Sequence, residues 1–437
     1  MRQPTVYLLS CGDELLFGHT VDTNSAWLAE QCTLLGWRIA GHRTVGDVTP
    51  DIIMAFLDAT ARADAVILTG GLGPTMDDRT RQALAHALGA ELREDREALT
   101  EIQAMFRRFN RPMGENNRVQ ALIPDGAERI VNPNGTAPGI KATLQGAKVF
   151  CMPGVPREMR EMFRLSVAPV LREAEGRAHE VMRRLHLCGR GEADIGAAIR
   201  HLMRERSNPE VGTAVAESIV TVRLYAKGET PAEAEKTAAE AEAGIRAVLE
   251  DDVFGTDGET LAACVIGLLK ERGARLVTAE SCTGGMLSSL LVDVPGASAV
   301  FVEGTVAYAN EAKIGLLGVP RETLEKHGAV SRGTAAAMAE GALRRLRANG
   351  PAYSLATTGI AGPDGGTPEK PVGTVWIACS VLDAEGKGMT RSVRHNWAAD
   401  RQGIRMRGAN AALDLLRRTL LGRPSNYPVE GSAWERP

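Results

Sequence analysis

The chain of 437 residues is long enough for two or three domains, and with 44% apolar residues each can bury a core of its own. A formal net charge of −3 without any long basic run leaves no electrostatic footprint for nucleic acid or an anionic membrane, and no apolar run reaches membrane-spanning length. Seven cysteines, odd in number, scattered and without a C-x-x-C pair, fit reduced thiols in a cytoplasmic protein better than disulfides or a zinc site, and Met1 to Pro4 lead straight into a strand with nothing resembling a signal peptide.

From the first residues onward, strand and helix periodicities alternate. Val6 to Ser10 predicts a strand, Asp22 and Thr23 cap an amphipathic helix running through Leu35, and Trp37 to Val45 predicts a second strand. Asp51 to Ala61 is helical, Ala65 to Thr69 is an apolar strand, and Arg79 to Leu88 forms the next helix. This is a βαβ series around a parallel sheet. Between the last strand and helix lies Gly70-Gly71-Leu72-Gly73-Pro74-Thr75-Met76-Asp77-Asp78. Backbone N–H groups of such a turn can cradle a phosphate or a pterin-like ring, and the two carboxylates behind it can hold a divalent cation. The same residues also suit a bare tight turn followed by helix-start acids. No Gly-Lys-Ser/Thr follows, so it is not a Walker loop, and it is not a G-x-G-x-x-G fingerprint. Arg157 to Met162 has part of a Nudix core, but the upstream glycine and glutamate are missing and Met162 stands where the second paired glutamate would be.

A less patterned region follows. Arg184 to Leu187 predicts a strand, Ala193 to Arg204 a helix, Ile219 to Tyr225 an alternating strand, and Pro231 to Leu249 a long helix rich in alanine and glutamate. It has no G-x-x-G loop with basic flanks, and its long helix is acidic, which argues against RNA binding and for a spacer or dimerisation element.

The third region carries three glycine-bearing strand ends. Arg275 to Thr278 predicts a strand and Gly284 to Leu291 a helix, with Ser281 at the helix mouth in Thr278-Ala279-Glu280-Ser281-Cys282-Thr283-Gly284-Gly285. There Ser281 is either a nucleophile beside N–H groups that can hold an oxyanion, or an ordinary N-cap. The apolar run Phe301 to Ala307 ends in Tyr308-Ala309-Asn310-Glu311-Ala312-Lys313. Lys313 is either a desolvated base for Ser281 or a solvated lysine at a helix start. The strand Tyr353 to Ala356 ends in Thr357-Thr358-Gly359-Ile360-Ala361-Gly362-Pro363-Asp364-Gly365-Gly366. Ligands bind outside the carboxyl ends of strands in open α/β sheets, so these loops are expected to share one pocket. Cys282 has no histidine near it, and His327 is read as a helix end, so Cys282 reads as a packed small residue. After Leu421, Gly422, Arg423 and Pro424 stop the last helix, and residues 422–437 are expected to be a disordered tail.

TAESCTGG, YANEAKIGLLGV, HGAVS, TGIAGPDGG and KPVGTVW, in this order and spacing, resemble the C-terminal domain of the CinA family, whose members hydrolyse the amide of nicotinamide mononucleotide (NMN). The resemblance runs from about Glu259 to Leu421. It implies Ser281 as the nucleophile on the carboxamide carbon, Lys313 as its base, and Tyr308 and Thr358 orienting the pair or the amide. It further implies N–H groups of Cys282, Thr283, Gly284 and Gly285 at the oxyanion, and Ser298, Gly359, Gly362 and Arg401 at the phosphate. GDELLFGHTVDTN, TGGLGPTMDD, NGTAPG and MPGVPREM resemble the molybdopterin-binding-like domain that opens full-length CinA proteins, over about residues 4 to 170. In that family the domain is associated with metal-dependent hydrolysis of ADP-ribose. Gly70, Gly71, Gly73, Thr75, Asn134, Gly135 and Thr136 would then contact the ligand, and Asp77 or Asp78 with Asp13 or Asp22 would place magnesium, manganese or cobalt on the diphosphate. Relatives that bind molybdopterin share the fold, so fold alone does not choose the ligand.

The expectation is therefore an α/β protein with two three-layer αβα domains, residues 1–172 and 256–421, joined by a small α+β KH-like domain over residues 173–255. It is a cytoplasmic hydrolase of NMN needing no cofactor for that step, with a metal-dependent ADP-ribose pyrophosphatase in its first domain. A homodimer is expected, with no nucleic-acid or membrane partner. The competing reading is a molybdopterin- or nucleotide-binding protein of competence or recombination whose last domain is not catalytic.

Overall fold

In the computed structural model, which describes residues 2–176, 179–204, 207–346, 350–382, 387–426 and 430–435, the alternating first third closes into a six-stranded sheet. β1 (Thr5–Cys11), β2 (Arg38–Val45) and β3 (Ala65–Thr69) are parallel, and β4 (Leu92–Glu94) pairs with β5 (Leu122–Pro124) in a separate ribbon. β6 (Glu128–Ile130), β7 (Gly139–Leu144) and β8 (Ala147–Met152) complete the order β2-β1-β3-β8-β7-β6. Val6, Leu8, Ala65 and Ile67 enter one apolar layer, and Tyr7, Leu9, Val66 and Leu68 the other. Side chains alternate across a strand, and helices cover both faces, so these strands read as continuous apolar runs. Asp22 caps the helix Thr23–Leu34 by accepting from the Ser25 N–H.

β1 lies between β2 and β3, so the connections leaving it and β3 part in opposite directions. That is the switch point where such sheets open a crevice at their carboxyl edge.

The small domain is a sheet of β9 (His179–Leu187), β10 (Glu210–Ala216), β11 (Ile219–Gly228) and β12 (Val253–Thr256), ordered β10-β11-β9-β12. Helices Glu192–Ala198 and Pro231–Leu249 bury Ile195, Ile245 and Leu249 against Leu185, Leu187, Val220, Val222 and Leu224. The helix expected over Ala193 to Arg204 ends its α-helical span at Ala198.

The last domain repeats the first domain's logic with β13 (Arg275–Glu280), β14 (Phe301–Val306), β15 (Ala352–Gly359), β16 (Thr374–Leu382), β17 (Lys387–Asn396) and β18 (Glu430–Glu435). Their order is β14-β13-β15-β16-β17-β18, and β13 runs parallel to both neighbours. Leu276 faces one apolar layer, Val277 and Ala279 the other. Again the first strand of the domain sits at a switch point, and Ser281 follows it directly.

The tail departs from expectation. β18 pairs antiparallel with β17 along Glu430 to Glu435, and Asn426 donates to the Gly189 carbonyl and to Asp252. An edge strand offers unpaired backbone groups that a polar segment can satisfy without an apolar pattern, so composition misread it. Residues 427–429, 436 and 437 lie outside the described residues. The chain divides into two compact units, Met1–Val181 with Ala226–Thr237 and Met182–Tyr225 with Ala238–Pro437. No helix among the described residues is long and apolar enough to cross a membrane.

Candidate functional site

Ser281 leaves the end of β13 with its N–H bound to the Thr357 carbonyl at 2.9 Å, which ties the loop after β13 to β15. Lys313 comes from the helix Asn310–Leu317, and its Nζ lies 3.1 Å from Ser281 Oγ. The same Nζ donates to the carbonyls of Ala307 at 3.0 Å and Tyr308 at 2.8 Å. Lys313 is 1% exposed, and desolvation pulls its pKa below the ordinary lysine value. No carboxylate pairs with it among the described residues. An amine so placed has two N–H groups fixed by carbonyls and, once neutral, a lone pair left for the serine hydroxyl.

The N-cap alternative for Ser281 does not hold: the helix is Met286–Val292 and its N-cap is Gly285. Nor is Lys313 the solvated lysine of a helix start. Cys282 is buried, and desolvation pushes its thiol up to about 12, so almost none is thiolate near neutrality.

One residue that sequence reasoning passed over organises the loop. Glu280, fully buried, accepts from the N–H groups of Gly285, Leu287 and Ser288 and from the Ser288 hydroxyl, at 2.6 to 3.0 Å. It therefore occupies the helix end expected to face an oxyanion. The Gly284 N–H is taken by the Ser281 carbonyl and that of Met286 by Thr283. Of the N–H groups over Cys282 to Gly285, only those of Cys282 and Thr283 give no hydrogen bond to a protein oxygen among the described residues. The oxyanion expectation for Gly284 and Gly285 thus fails, because those donors are engaged internally. The signal was a charged residue ending an apolar strand inside the motif itself. Glu280→Gln turns an amide NH₂ toward these donors, and about 3 kcal/mol of stability should be lost. Thermal unfolding of the second unit should shift down by about 6–12 °C; an unchanged melt would refute this role.

The outer residues distribute unevenly. Tyr308 is 64% exposed, and its hydroxyl accepts from Arg401 at 3.2 Å, so its contribution to the dyad is its carbonyl. Arg401 opens the helix Arg401–Leu421 and also donates to the Gly362 carbonyl at 2.6 Å. From the same helix Arg405 donates to the Thr283 carbonyl at 2.9 Å, a second brace that sequence reasoning missed. Thr358 is buried and donates to the Ala329 carbonyl, and Gly359 ends β15. Neither is bonded to the dyad. Ser298 is misplaced by expectation: it precedes β14, whose Phe301 pairs with Leu276 at the start of β13, whereas Ser281 follows the end of that strand. Five residues of strand separate the two ends, about 16 Å.

The first domain has a crevice of about 500 Å³ at its switch point, lined by Gly70, Gly71, Gly73, Thr75, Thr136, Asp22, Asp77 and Asp78 among others. Asn134 and Gly135 lie outside that lining, beside Arg157 and Glu158. Gly70 has φ +104, and a Cβ there would meet the Cys11 carbonyl oxygen at 2.1 Å, so packing alone demands glycine. Three of the four carboxylates accept hydrogen bonds from the protein. Asp78 accepts from the N–H groups of Gly73 and Thr75 and the Thr75 hydroxyl, Asp22 from Ser10, Ser25 and His42, and Asp13 from the Asp47 N–H. Asp77 is exposed, and no group of three potential metal-ligating His, Cys, Asp or Glu side chains forms among the described residues.

Two αβα domains with matching switch points, the first opening a crevice there, a small α+β domain between them in sequence and a buried serine–lysine pair in the last define a multidomain α/β protein. Family models match in the same order: "Probable molybdopterin binding domain" over residues 7–173, "Damage-inducible protein CinA KH domain" over 182–255 and "CinA C-terminal domain" over 258–420. A CinA-like protein of Anaeromyxobacter sp. is 42% identical over 418 residues, 95% of this chain and 99% of that protein. A CinA-like protein of Frankia casuarinae is 42% identical over 432 residues, 96% and 97% of the two chains. The chain belongs to the CinA family. The solved structure of the competence/damage inducible protein CihA from Agrobacterium tumefaciens is 43% identical, with 37% of this chain and 93% of that chain covered and a TM-score of 0.34.

Proposed function

We propose that the last domain hydrolyses the carboxamide of NMN to nicotinate mononucleotide and ammonia. The observation that carries this reading is Lys313 Nζ, buried without a carboxylate and held 3.1 Å from Ser281 Oγ by two carbonyls. Neutral Lys313 takes the Ser281 proton as Oγ attacks the amide carbon, and returns it to the departing nitrogen, which leaves as ammonia. Water then attacks the acyl-serine, giving its proton to Lys313, and carboxylate and free serine are restored. The N–H groups of Cys282 and Thr283 are the donors available to the tetrahedral oxyanion. The choice of NMN rests on the resemblance of the five C-terminal motifs, and Arg401, which donates to the Gly362 carbonyl and the Tyr308 hydroxyl, offers a cation for its phosphate.

The test is ammonia release by the purified chain from NMN, with nicotinamide riboside as the substrate lacking phosphate. No release from folded protein would sink the proposal. Arg401→Ala should raise KM for NMN about tenfold and leave that for the riboside nearly unchanged. Equal losses on both would assign Arg401 to holding Gly362 and Tyr308 instead.

For the first domain, the crevice and its glycine loop support nucleotide binding, and no group of three ligand side chains is assembled for a resident metal among the described residues. We therefore read it as a binding cleft for a molecule of the ADP-ribose kind rather than as a pyrophosphatase. ADP-ribose should bind in the presence of a chelator, by calorimetry, and AMP release on adding magnesium, manganese or cobalt should be absent. Metal-dependent release would restore the hydrolytic reading.

A further inference from the structure

Away from Ser281, the second unit encloses a cavity of about 340 Å³. Its walls are the loop Gly189 to Gly191, the β10–β11 hairpin, β17 with the residues after it, and one face of the helix Arg401–Leu421. That volume is in the range of small-molecule sites. Gly189 makes the wall possible: its φ is +93, and a Cβ would stand 2.9 Å from Asp414 Oδ2.

One side of the cavity is aromatic. His395 and Trp397 are two residues apart along β17 and its extension, so they share a face, and their rings stack 4.4 Å apart at 14°. Burial lowers the His395 pKa to about 4, which leaves that ring uncharged at physiological pH.

Arg407, a half-buried residue, also lines the cavity, and its guanidinium has no hydrogen bond or ion pair to the protein among the described residues. Other charged groups on the lining are matched. Asp414 receives Arg417 and Arg418, Glu192 accepts from Thr213, and Arg190 reaches Asp252 at 3.2 Å. An anion entering the cavity would give Arg407 the charge-assisted partner that the protein does not supply.

We propose that this cavity is a second small-molecule site, for a planar ring joined to one phosphate, the nucleoside monophosphate class. The ring lies against Trp397 and the phosphate against Arg407. A single unmatched cation and this volume suit a mononucleotide with one phosphate rather than a dinucleotide or a triphosphate. The site does not depend on the amidase reading.

The full chain is irradiated with 8-azidoadenosine 5′-monophosphate and the labelled peptides are mapped, with AMP as competitor. Label between residues 188 and 192 or 393 and 415, displaced by AMP, is expected. In calorimetry, Arg407→Gln should weaken AMP binding about tenfold while changing adenosine binding less than about twofold, and Trp397→Leu should weaken both. Label confined to the first-domain crevice or to the Ser281 loop would overturn the proposal. So would AMP affinity indifferent to Arg407→Gln, or no binding at about 5 mM AMP.

Discussion

Ser281→Ala is expected to lower ammonia release from NMN at least about a thousandfold, a loss of about 4 kcal/mol of transition-state stabilisation. The size follows from the role: without Oγ there is no acyl intermediate, and a water in its place would lack the tie that fixes Ser281 between β13 and β15 through the Thr357 carbonyl. Stability should move little, about 1 kcal/mol, because Lys313 keeps both carbonyl acceptors. Cys282→Ala is the control. Its thiol is buried and held up to about 12, so activity should survive that change. If Ser281→Ala keeps its rate while Cys282→Ala loses it, the nucleophile is the neighbouring residue and the assignment is wrong.

What was legible in the chain were features that repeat. Apolar runs at Val6 to Ser10, Ala65 to Thr69 and Arg275 to Thr278 are strands because both faces of each sheet are covered, and the order of elements then fixes where the loops emerge. Ser281 and Lys313 were found through their positions at such exits. Single-residue partnerships were less legible. The capping role of Asp22 was read from the sequence, but the turn of Glu280 back onto three N–H groups and the engagement of Asp13 and Asp78 by backbone donors were not. A carboxylate beside a glycine turn reads alike whether it faces a cation or its own loop. Ser298 was carried over from the family resemblance, and no local pattern shows that the helix Met286–Val292 returns the chain to the start of β13, away from Ser281.

Lys313→Arg should reduce activity about a thousandfold as well, although the positive charge is kept, because a guanidinium is not deprotonated in proteins and has no lone pair to offer Ser281. This separates a base from a mere electrostatic anchor: were Lys313 only holding Tyr308 and Ala307, arginine would preserve part of the rate. The wild-type pH profile supplies the independent reading. Below its pKa Lys313 is an ammonium donating to Ser281 Oγ and cannot accept a proton, so kcat/KM falls as pH falls through that value. Burial has lowered the pKa, so the limb lies below the ordinary lysine value of about 10.4. The same shift carries a sign for stability. Between the depressed folded value and the ordinary one, the unfolded chain binds more protons, so stability rises with pH across that window. Lys313→Met removes the titrating amine and should flatten that rise as it abolishes the limb. A limb that persists in the Met variant would mean that another group is the base, whatever the distance between Nζ and Oγ.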